Sequence, residues 1–296
     1  MGAKPRSGTK TEKPAKGPNH PLRRNAAQMR AEELSFSKAR GPFDIVGDVH
    51  GCLKELLELM TTLGYRVEWQ AGEFAVKPPK GRMLAFVGDL VNRGPATPEV
   101  LRLVMRMVRA GQAVCAPGNQ DVKLARALQG RDLKVTQGVV RSLRQLRAEP
   151  EEFRAEAAAF LESVASHYVL DGGNLVIAHA GLKEQLHGSG SAKARRFALS
   201  GQNTGKTDQF GLPVRYNWAA AYRGKALVVY GHTPVAKPRW LNNTVNIDTG
   251  CVYGGRLTAL RYPEREIVSV PAKAIYYESR KGFVPNGDLV QKPRKR

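Results

Sequence analysis

Apolar positions change their spacing along this chain in a regular way. The runs "FDIVG" (43–47), "MLAFVG" (83–88) and "AVCAP" (113–117) are short and apolar, each closes in a Gly- or Pro-containing turn, and they read as strands. Between them, "LKELLELMTTLG" and "TPEVLRLVMRMVRAG" carry apolar residues at spacings of three and four and close with Gly. That is the pattern of amphipathic helices with C-caps. The resulting order, β-α-β-α-β, is that of an α/β layered domain. "YRVEWQAGEFAV" alternates around a Gly and predicts a hairpin at an edge. From about residue 120 to 166 the pattern turns helical and charged, a helical insertion. Strands resume at "YVLDGG", "NLVIAHAG", "ALVVYGHTP", "TVNIDTG" and "LTALRYP", which are expected to form a second sheet packed on the first. No internal repeat is present.

With 296 residues and 42% hydrophobic positions the chain can bury one large core. The expected domain spans 42–278. Before it, residues 1–41 form a basic tail: the first 40 positions hold ten Lys/Arg and three Glu, many Pro and Gly, and almost no apolar periodicity. Residues 279–296 form a second basic tail ending in "QKPRKR". Lys and Arg number 47 against 26 Asp and Glu, a net charge of +21, which attracts polyanions and makes nucleic acid or nucleotides the expected partner class. A merely solvated basic surface is the alternative, and the tails add contacts to nucleic acid only if they lie along phosphates. Cys52, Cys115 and Cys251 are widely spaced, with no CxxC, and are expected to be core thiols of a reducing compartment. No run approaches the ~18 apolar residues that span a bilayer, so the expected location is cytoplasmic, without a membrane.

The polar residues at the strand ends form one set: Asp48 and His50 in "GDVHG", Asp89 and Arg93 in "GDLVNRG", Asn119 in "GNQD", His179 in "AHAG" and His232 in "GHTP". In α/β sheets the loops after strand carboxyl ends converge on one crevice. Carboxylate, imidazole and amide oxygen together suit a pair of first-row divalent ions such as manganese, iron or zinc. Such a pair, ~3.5–4 Å apart with a bridging Asp, holds a phosphate and activates water for in-line displacement. Arg93 adds a planar fork for phosphate oxygens. Any one of these motifs alone is an ordinary turn or a structural histidine. Together, in this order, they point to a two-metal phosphoesterase.

The motif order resembles that of the calcineurin-like metallophosphoesterases, GDxHG, GDxxDRG, GNH[DE], H and GH. The stretches "SHYVLDGGNLVIAHAGLKE", "TDQFGLPVRYNWA" and "NIDTGCVYGGRLTALRYPEREIVSV" are similar, more narrowly, to the phosphatase domain of bacterial polynucleotide kinase-phosphatases. The likeness covers roughly residues 42–278. It implies an αββα sandwich, two packed β-sheets flanked by helices. It also implies a first metal at Asp48, His50 and bridging Asp89, and a second at Asp89, Asn119, His179 and His232, with manganese foremost and iron, zinc or nickel as alternatives. Arg93 would bind phosphate, and Asp248 in "IDTG" would stand beside the metals, or simply cap a strand end. Arg215, Tyr216 and Trp218 would face substrate, or pack the segment. "GQNTGKTD" (201–208) is one residue short of a P-loop, lies within this likeness and is expected to be a loop.

Two positions depart from the family pattern. Gln120 stands where the family has His, and Asn92 where it has Asp. That dyad protonates the leaving oxygen. Gln hydrogen-bonds a phosphate oxygen but has no proton to give near pH 7, so a term of ~10² to 10⁴ in rate, roughly 3 to 5 kcal/mol, is lost. Asn92 and Gln120 are expected to pair as neutral amides. Phosphoanhydrides and aryl phosphates, whose leaving groups need no protonation, should be favoured over alkyl ribose esters. The expected function is a metal-dependent phosphoesterase acting on nucleic-acid ends or nucleotides, with Arg93, Asn119, Gln120 and Asp248 as the reaction residues and Arg93 and Arg215 on the substrate. The alternatives are a catalytically weakened binding module and, among enzymes of this fold, a dinucleoside tetraphosphate hydrolase or a protein serine/threonine phosphatase; the "DQFGLPVRYNWA" segment is expected to argue against both enzymes. Restoring the dyad with Asn92→Asp and Gln120→His should raise turnover of an alkyl phosphate by ~10²-fold or more in a steady-state assay; no gain would mean that the pocket differs in more than its acid.

Overall fold

The structure, a computed structural model, describes residues 39–70, 72–131 and 136–279. Its centre is two five-stranded sheets lying face to face. In the first, β1 (Phe43–Val46), β4 (Met83–Phe86) and β5 (Ala113–Cys115) run parallel, linked by helices α1 (Leu53–Thr62) and α2 (Thr97–Arg109). β13 (Arg256–Tyr262) pairs antiparallel with β1, and β14 (Glu266–Pro271) closes that edge. The second sheet has the order β11 (Arg239–Leu241), β12 (Thr244–Asn246), β10 (Leu227–Tyr230), β7 (Leu175–Ile177) and β6 (Tyr168–Leu170), with β7, β10 and β12 parallel.

Strand alternation explains the layering. Phe43, Ile45, Ala85, Val87 and Val114 of the first sheet meet Leu175, Ile177, Leu227, Val229 and Val245 of the second, all buried, in one inter-sheet core. Their neighbours Val46, Leu84, Phe86 and Cys115 point the other way, onto the apolar stripes of the helices. In α2 that stripe is Val100, Leu101, Leu103, Val104 and Met107, with Pro98 and Glu99 in the first turn and Arg106 and Arg109 in the last, as the helix dipole favours. On the far side, Val176 and Val228 pack under α6 (Ala192–Ser200), which contributes Ala194, Phe197 and Ala198. The chain is therefore an α/β sandwich with helices on both outer faces.

The charged insertion resolves into α3 (Asn119–Leu128), α4 (Gln137–Leu146) and α5 (Glu151–Ser163). The hairpin is present as β2 (Arg66–Gln70) and β3 (Glu73–Lys77). Two expectations are corrected. "LTALRYP" does not join the second sheet: as β13 it pairs with β1, because the preceding turn carries the chain back across the sandwich. "GQNTGKTD" is not a plain loop either, since β8 (Asn203–Thr207) pairs antiparallel with β9 (Pro213–Arg215) in an exposed hairpin. Residues 1–38 and 280–296, nearly all of both basic tails, lie outside the described residues. Packing begins before residue 42: Ala39 accepts the Asp171 N–H at 2.9 Å and packs against the inter-sheet core. All three cysteines are buried. Among the described residues no helix is long and apolar enough to cross a membrane.

One polar feature of β1 has no counterpart in the apolar pattern. Asp44 is fully buried and accepts hydrogen bonds from Tyr65 Oη (3.0 Å), Arg82 Nε (3.0 and 3.1 Å) and Arg261 Nε (3.3 Å). Arg82 continues to Glu264, clamping β1, β4 and the β13–β14 turn together. Removing one partner of a buried pair leaves the other charge desolvated. Arg82→Met is expected to lower unfolding free energy by about 3–5 kcal/mol in urea titration; a loss below about 1 kcal/mol would show that water solvates Asp44 in its place.

Candidate active site

The strand ends bring the polar set into one crevice at the seam of the two sheets. Asp48 and His50 follow β1, Asp89 follows β4, Asn119 opens α3, His179 follows β7 and His232 follows β10. His50, Asp89, Asn92, Arg93 and His232 all have positive φ, between 47° and 73°, a conformation costly for side-chain-bearing residues and common at functional sites. Tight backbone approach makes the convergence possible. A Cβ at Gly231 would lie 2.0 Å from Asp48 Oδ1, and one at Gly118 2.0 Å from Asp89 Oδ1, so only glycine fits at either position.

Donor atoms face one another across the crevice. Asp48, His50 and Asp89 place their ligand atoms within 4.8 Å of one another, all buried. His50 Nδ1 lies 3.0 Å from the Val91 carbonyl, which fixes the proton there and turns the Nε2 lone pair toward Asp89 Oδ2 at 3.5 Å. On the other side, His179 Nε2 lies 3.5 Å from Asp89 Oδ1, 3.1 Å from Asn119 Oδ1 and 2.9 Å from His232 Nδ1. His232 N–H donates to Asp48 at 3.2 Å, a direct tie between the sheets. Two donor groups sharing Asp89 are thus present, as two neighbouring divalent cations require. His232 Nε2, buried with no hydrogen-bond partner among the described residues, is a further donor that a cation would satisfy.

The electrostatics agree. Burial, Asp248 and Asp89 hold Asp48 well above the ordinary carboxylate range. Burial and Asp89 push Asp248 up to about 7, against the Gly250 N–H bond. For Asp89 burial works upward, but His179, His50 and Arg93 outweigh it and bring the group to about 2. Burial and Arg93 push His50 down to about 3, and burial also lowers His179 and His232. Crowded carboxylates and neutral imidazoles together form a site whose charge a divalent cation would balance.

Arg93 reaches the middle of the crevice: its Nη1 is 2.6 Å from His50 Nε2, and its guanidinium lies over the Tyr253 ring at 5.6 Å. Asn92 and Gln120 are in contact, Asn92 Nδ2 donating to Gln120 O at 3.0 Å and to Gln120 Oε1 at 3.4 Å. The Gln120 N–H donates to Asp89 Oδ1 at 2.8 Å. Asp248 is buried beside Asp48 and accepts the Gly250 N–H at 3.1 Å, so it also serves as a strand-end cap. Arg215 stands at the rim: its Nε donates to Ser200 O at 3.1 Å, and its charge depresses both His179 and His232. Tyr216 is exposed. Trp218, by contrast, does not face the crevice; it is buried edge-on against Phe197, Tyr222 and Tyr230 and packs the second sheet's outer layer.

Asp121 escaped the sequence reading although it lies in the quoted "GNQD". Its Oδ2 accepts the Gly118 N–H at 2.8 Å and its Oδ1 the Val91 N–H at 3.3 Å, joining the loops that carry Asn119 and Asp89. An Asp at the third position of a helix is the available signal. Ser142 and Arg141 of α4, bonded to Asn92 N and Arg93 O, carry no such signal in the sequence.

A family model for calcineurin-like phosphoesterases matches residues 41–267, and the chain belongs to that family. It is a metallophosphoesterase, a hydrolase of phosphate esters or related phosphates. The bis(5′-nucleosyl)-tetraphosphatase PrpE [asymmetrical] of Anoxybacillus flavithermus is 47% identical over 238 residues, covering 79% of this chain and 96% of that protein. The protein of the same name from Bacillus subtilis is 42% identical over 242 residues, 80% of this chain and 98% of its own. A crystal structure provisionally assigned as a diadenosine tetraphosphatase superposes with a TM-score of 0.57 at 26% identity, over 79% of this chain and 96% of that one. A yeast protein serine/threonine phosphatase, 12% identical with a TM-score of 0.54 over 84% of this chain and 89% of its own, shares the fold. These relatives correct the narrower resemblance: they carry the name of tetraphosphatases, not of polynucleotide kinase-phosphatases. The expectation that segment 208–219 argues against a tetraphosphatase is overturned by these names.

Asp89 faces both donor groups. Asp89→Ala is expected to remove manganese binding measured by calorimetry and to cut phosphate release by at least ~10²-fold; retained binding with full activity would show that the shared carboxylate is dispensable.

Proposed function

We propose that this protein hydrolyses dinucleoside tetraphosphates asymmetrically. The observation that carries the reading is the neutral pair Asn92–Gln120 at the crevice, where an ester hydrolase of this family needs an acid. A phosphoanhydride departs as a nucleotide phosphate, a weak base that leaves without a proton. The names borne by relatives that this chain matches over nearly their whole length support the same substrate class.

In this reading Asp48, His50 and Asp89 would hold one divalent ion, and Asp89, Asn119, His179 and His232 the other. Manganese is the foremost candidate, with iron, zinc and nickel behind it. Bound there, such a pair polarises the phosphate and lowers the pKa of water. Arg93, on the floor of the crevice, would clamp two non-bridging oxygens of the attacked phosphate, and the Gln120 amide would donate to a third polar position without transferring a proton. Asp248 would stand beside Asp48 as one more buried carboxylate facing the metals. Arg215 would meet the remaining phosphates at the rim. The charge of +21 favours polyanionic substrates generally, so an RNA 3′-phosphate is the informative competitor.

The test is manganese-dependent turnover of a dinucleoside tetraphosphate, p-nitrophenyl phosphate and an RNA 3′-phosphate by purified protein. The tetraphosphate is expected to yield nucleoside triphosphate and monophosphate, with the RNA ester at least ~10²-fold slower for want of an acid. Preference for the RNA end would overturn the proposal.

A further inference from the structure

Beside the crevice lies a second concavity of about 940 Å³, between α6 and the turn at Lys183–Leu186. Its wall is basic: Lys183, Lys193 and Arg196 line it, and Lys183 Nζ sits 5.5 Å from the centre of the buried Phe197 ring. The size is within the range of small-molecule sites, ~300–1,000 Å³. Glu184, the neighbouring carboxylate, does not neutralise it, being turned toward Tyr222 and Gly224 on the other side.

The groove adjoins Arg215. Its floor includes Ser200, Gly201 and Gln202, Arg215 Nε holds Ser200 O, and the charge of Arg215 lowers the pKa of both His179 and His232. Ala180, adjacent to His179, donates its N–H to Ala198 O at 2.6 Å, fixing α6 against the loop that carries that histidine. Lys183 is itself braced by Gln202 Oε1 at 2.7 Å. A polyanion lying along Arg215 would therefore run from the crevice into a pocket that offers three further cations.

Asymmetric cleavage divides four phosphates as one and three. Water adds to the phosphorus that becomes the monophosphate, the P–O bond to the next phosphate breaks, and the electron pair leaves on the triphosphate. We infer that the Lys183–Lys193–Arg196 groove binds the nucleoside triphosphate half of the substrate, the cations meeting its phosphates, and so sets which anhydride lies over the metals. Three cations beyond Arg215 match the more highly charged half; the monophosphate half, which carries less charge, would stay on the crevice side. This inference rests on the tetraphosphatase reading above.

Lys193 and Arg196 are exposed on α6, away from the buried face of Ala194, Phe197 and Ala198, so Lys193→Glu with Arg196→Glu tests the groove without emptying the core. KM for the tetraphosphate should rise about tenfold or more relative to KM for p-nitrophenyl phosphate, each lost phosphate contact being worth about tenfold. Inhibition of aryl-ester hydrolysis by ATP should weaken by a similar factor, while inhibition by AMP should not. A milder Lys193→Ala, Arg196→Ala pair, with melting followed by circular dichroism, separates lost binding from lost folding. Wild-type activity on the tetraphosphate with an unchanged KM ratio and unchanged ATP inhibition in both pairs overturns the groove alone. Wild-type protein that cleaves the aryl ester but not the tetraphosphate overturns the tetraphosphatase reading and the groove's role with it.

Discussion

Everything at this site depends on the two sheets touching backbone to side chain at one seam. Gly231, at the end of β10, lies so near Asp48, at the end of β1, that the space a Cβ would need is already filled by the carboxylate, and the next residue donates its N–H to that same carboxylate. The contact fixes the distance between the sheets where their carboxyl ends meet. Asp48, His50, Asp89 and Asn119 from one sheet and His179 and His232 from the other are then brought into one crevice, with the ligand atoms of Asp48, His50 and Asp89 within 4.8 Å of one another. The inter-sheet core of Ile45, Val87, Ile177 and Val229 supplies the cohesion, and the strained loops can hold positive φ because that core does not yield.

Burial at the seam also sets the chemistry. Three carboxylates lie within a water-poor crevice, and imidazoles that burial keeps neutral present lone pairs to it. Such an arrangement costs stability on its own account and is compensated by cations, so affinity for divalent metal and the folded seam support each other. Within that field a neutral Asn92–Gln120 contact is a compatible choice. A carboxylate at position 92 facing an amide would be one more desolvated charge beside Asp89, Asp121 and Asp48. The same neutrality leaves no proton donor at that contact, the feature on which the proposed preference for unprotonated leaving groups rests.

The strands ending at Asp48, Asp89 and Asn119, the helices between them and the β2–β3 hairpin are all visible as apolar periodicity, because each is a local pattern with a turn at its end. The convergence of the five motifs was legible because strand-end loops of parallel sheets share one edge. β13 was misplaced, since an apolar strand does not reveal which of two sheets it completes; its pairing with β1 follows from a connection back across the sandwich. Trp218, which the sequence leaves open as a substrate contact or as packing, is core: it opens a 3₁₀ turn (Trp218–Ala221) and is buried, whereas Arg215 stands at the rim.

The sequence by itself determined the donor types, their order and the absent acid, since those are properties of side chains that no packing alters. Tertiary structure alone decided which nitrogen of His50 carries its proton, that Asp121 ties the Asn119 and Asp89 loops together, that Asp44 is paired with Arg82 and Arg261, and that Lys183, Lys193 and Arg196 line one groove next to Arg215. Each of these rests on contacts between residues separated by tens to hundreds of positions, or on the direction of a single ring, and local periodicity carries no record of either.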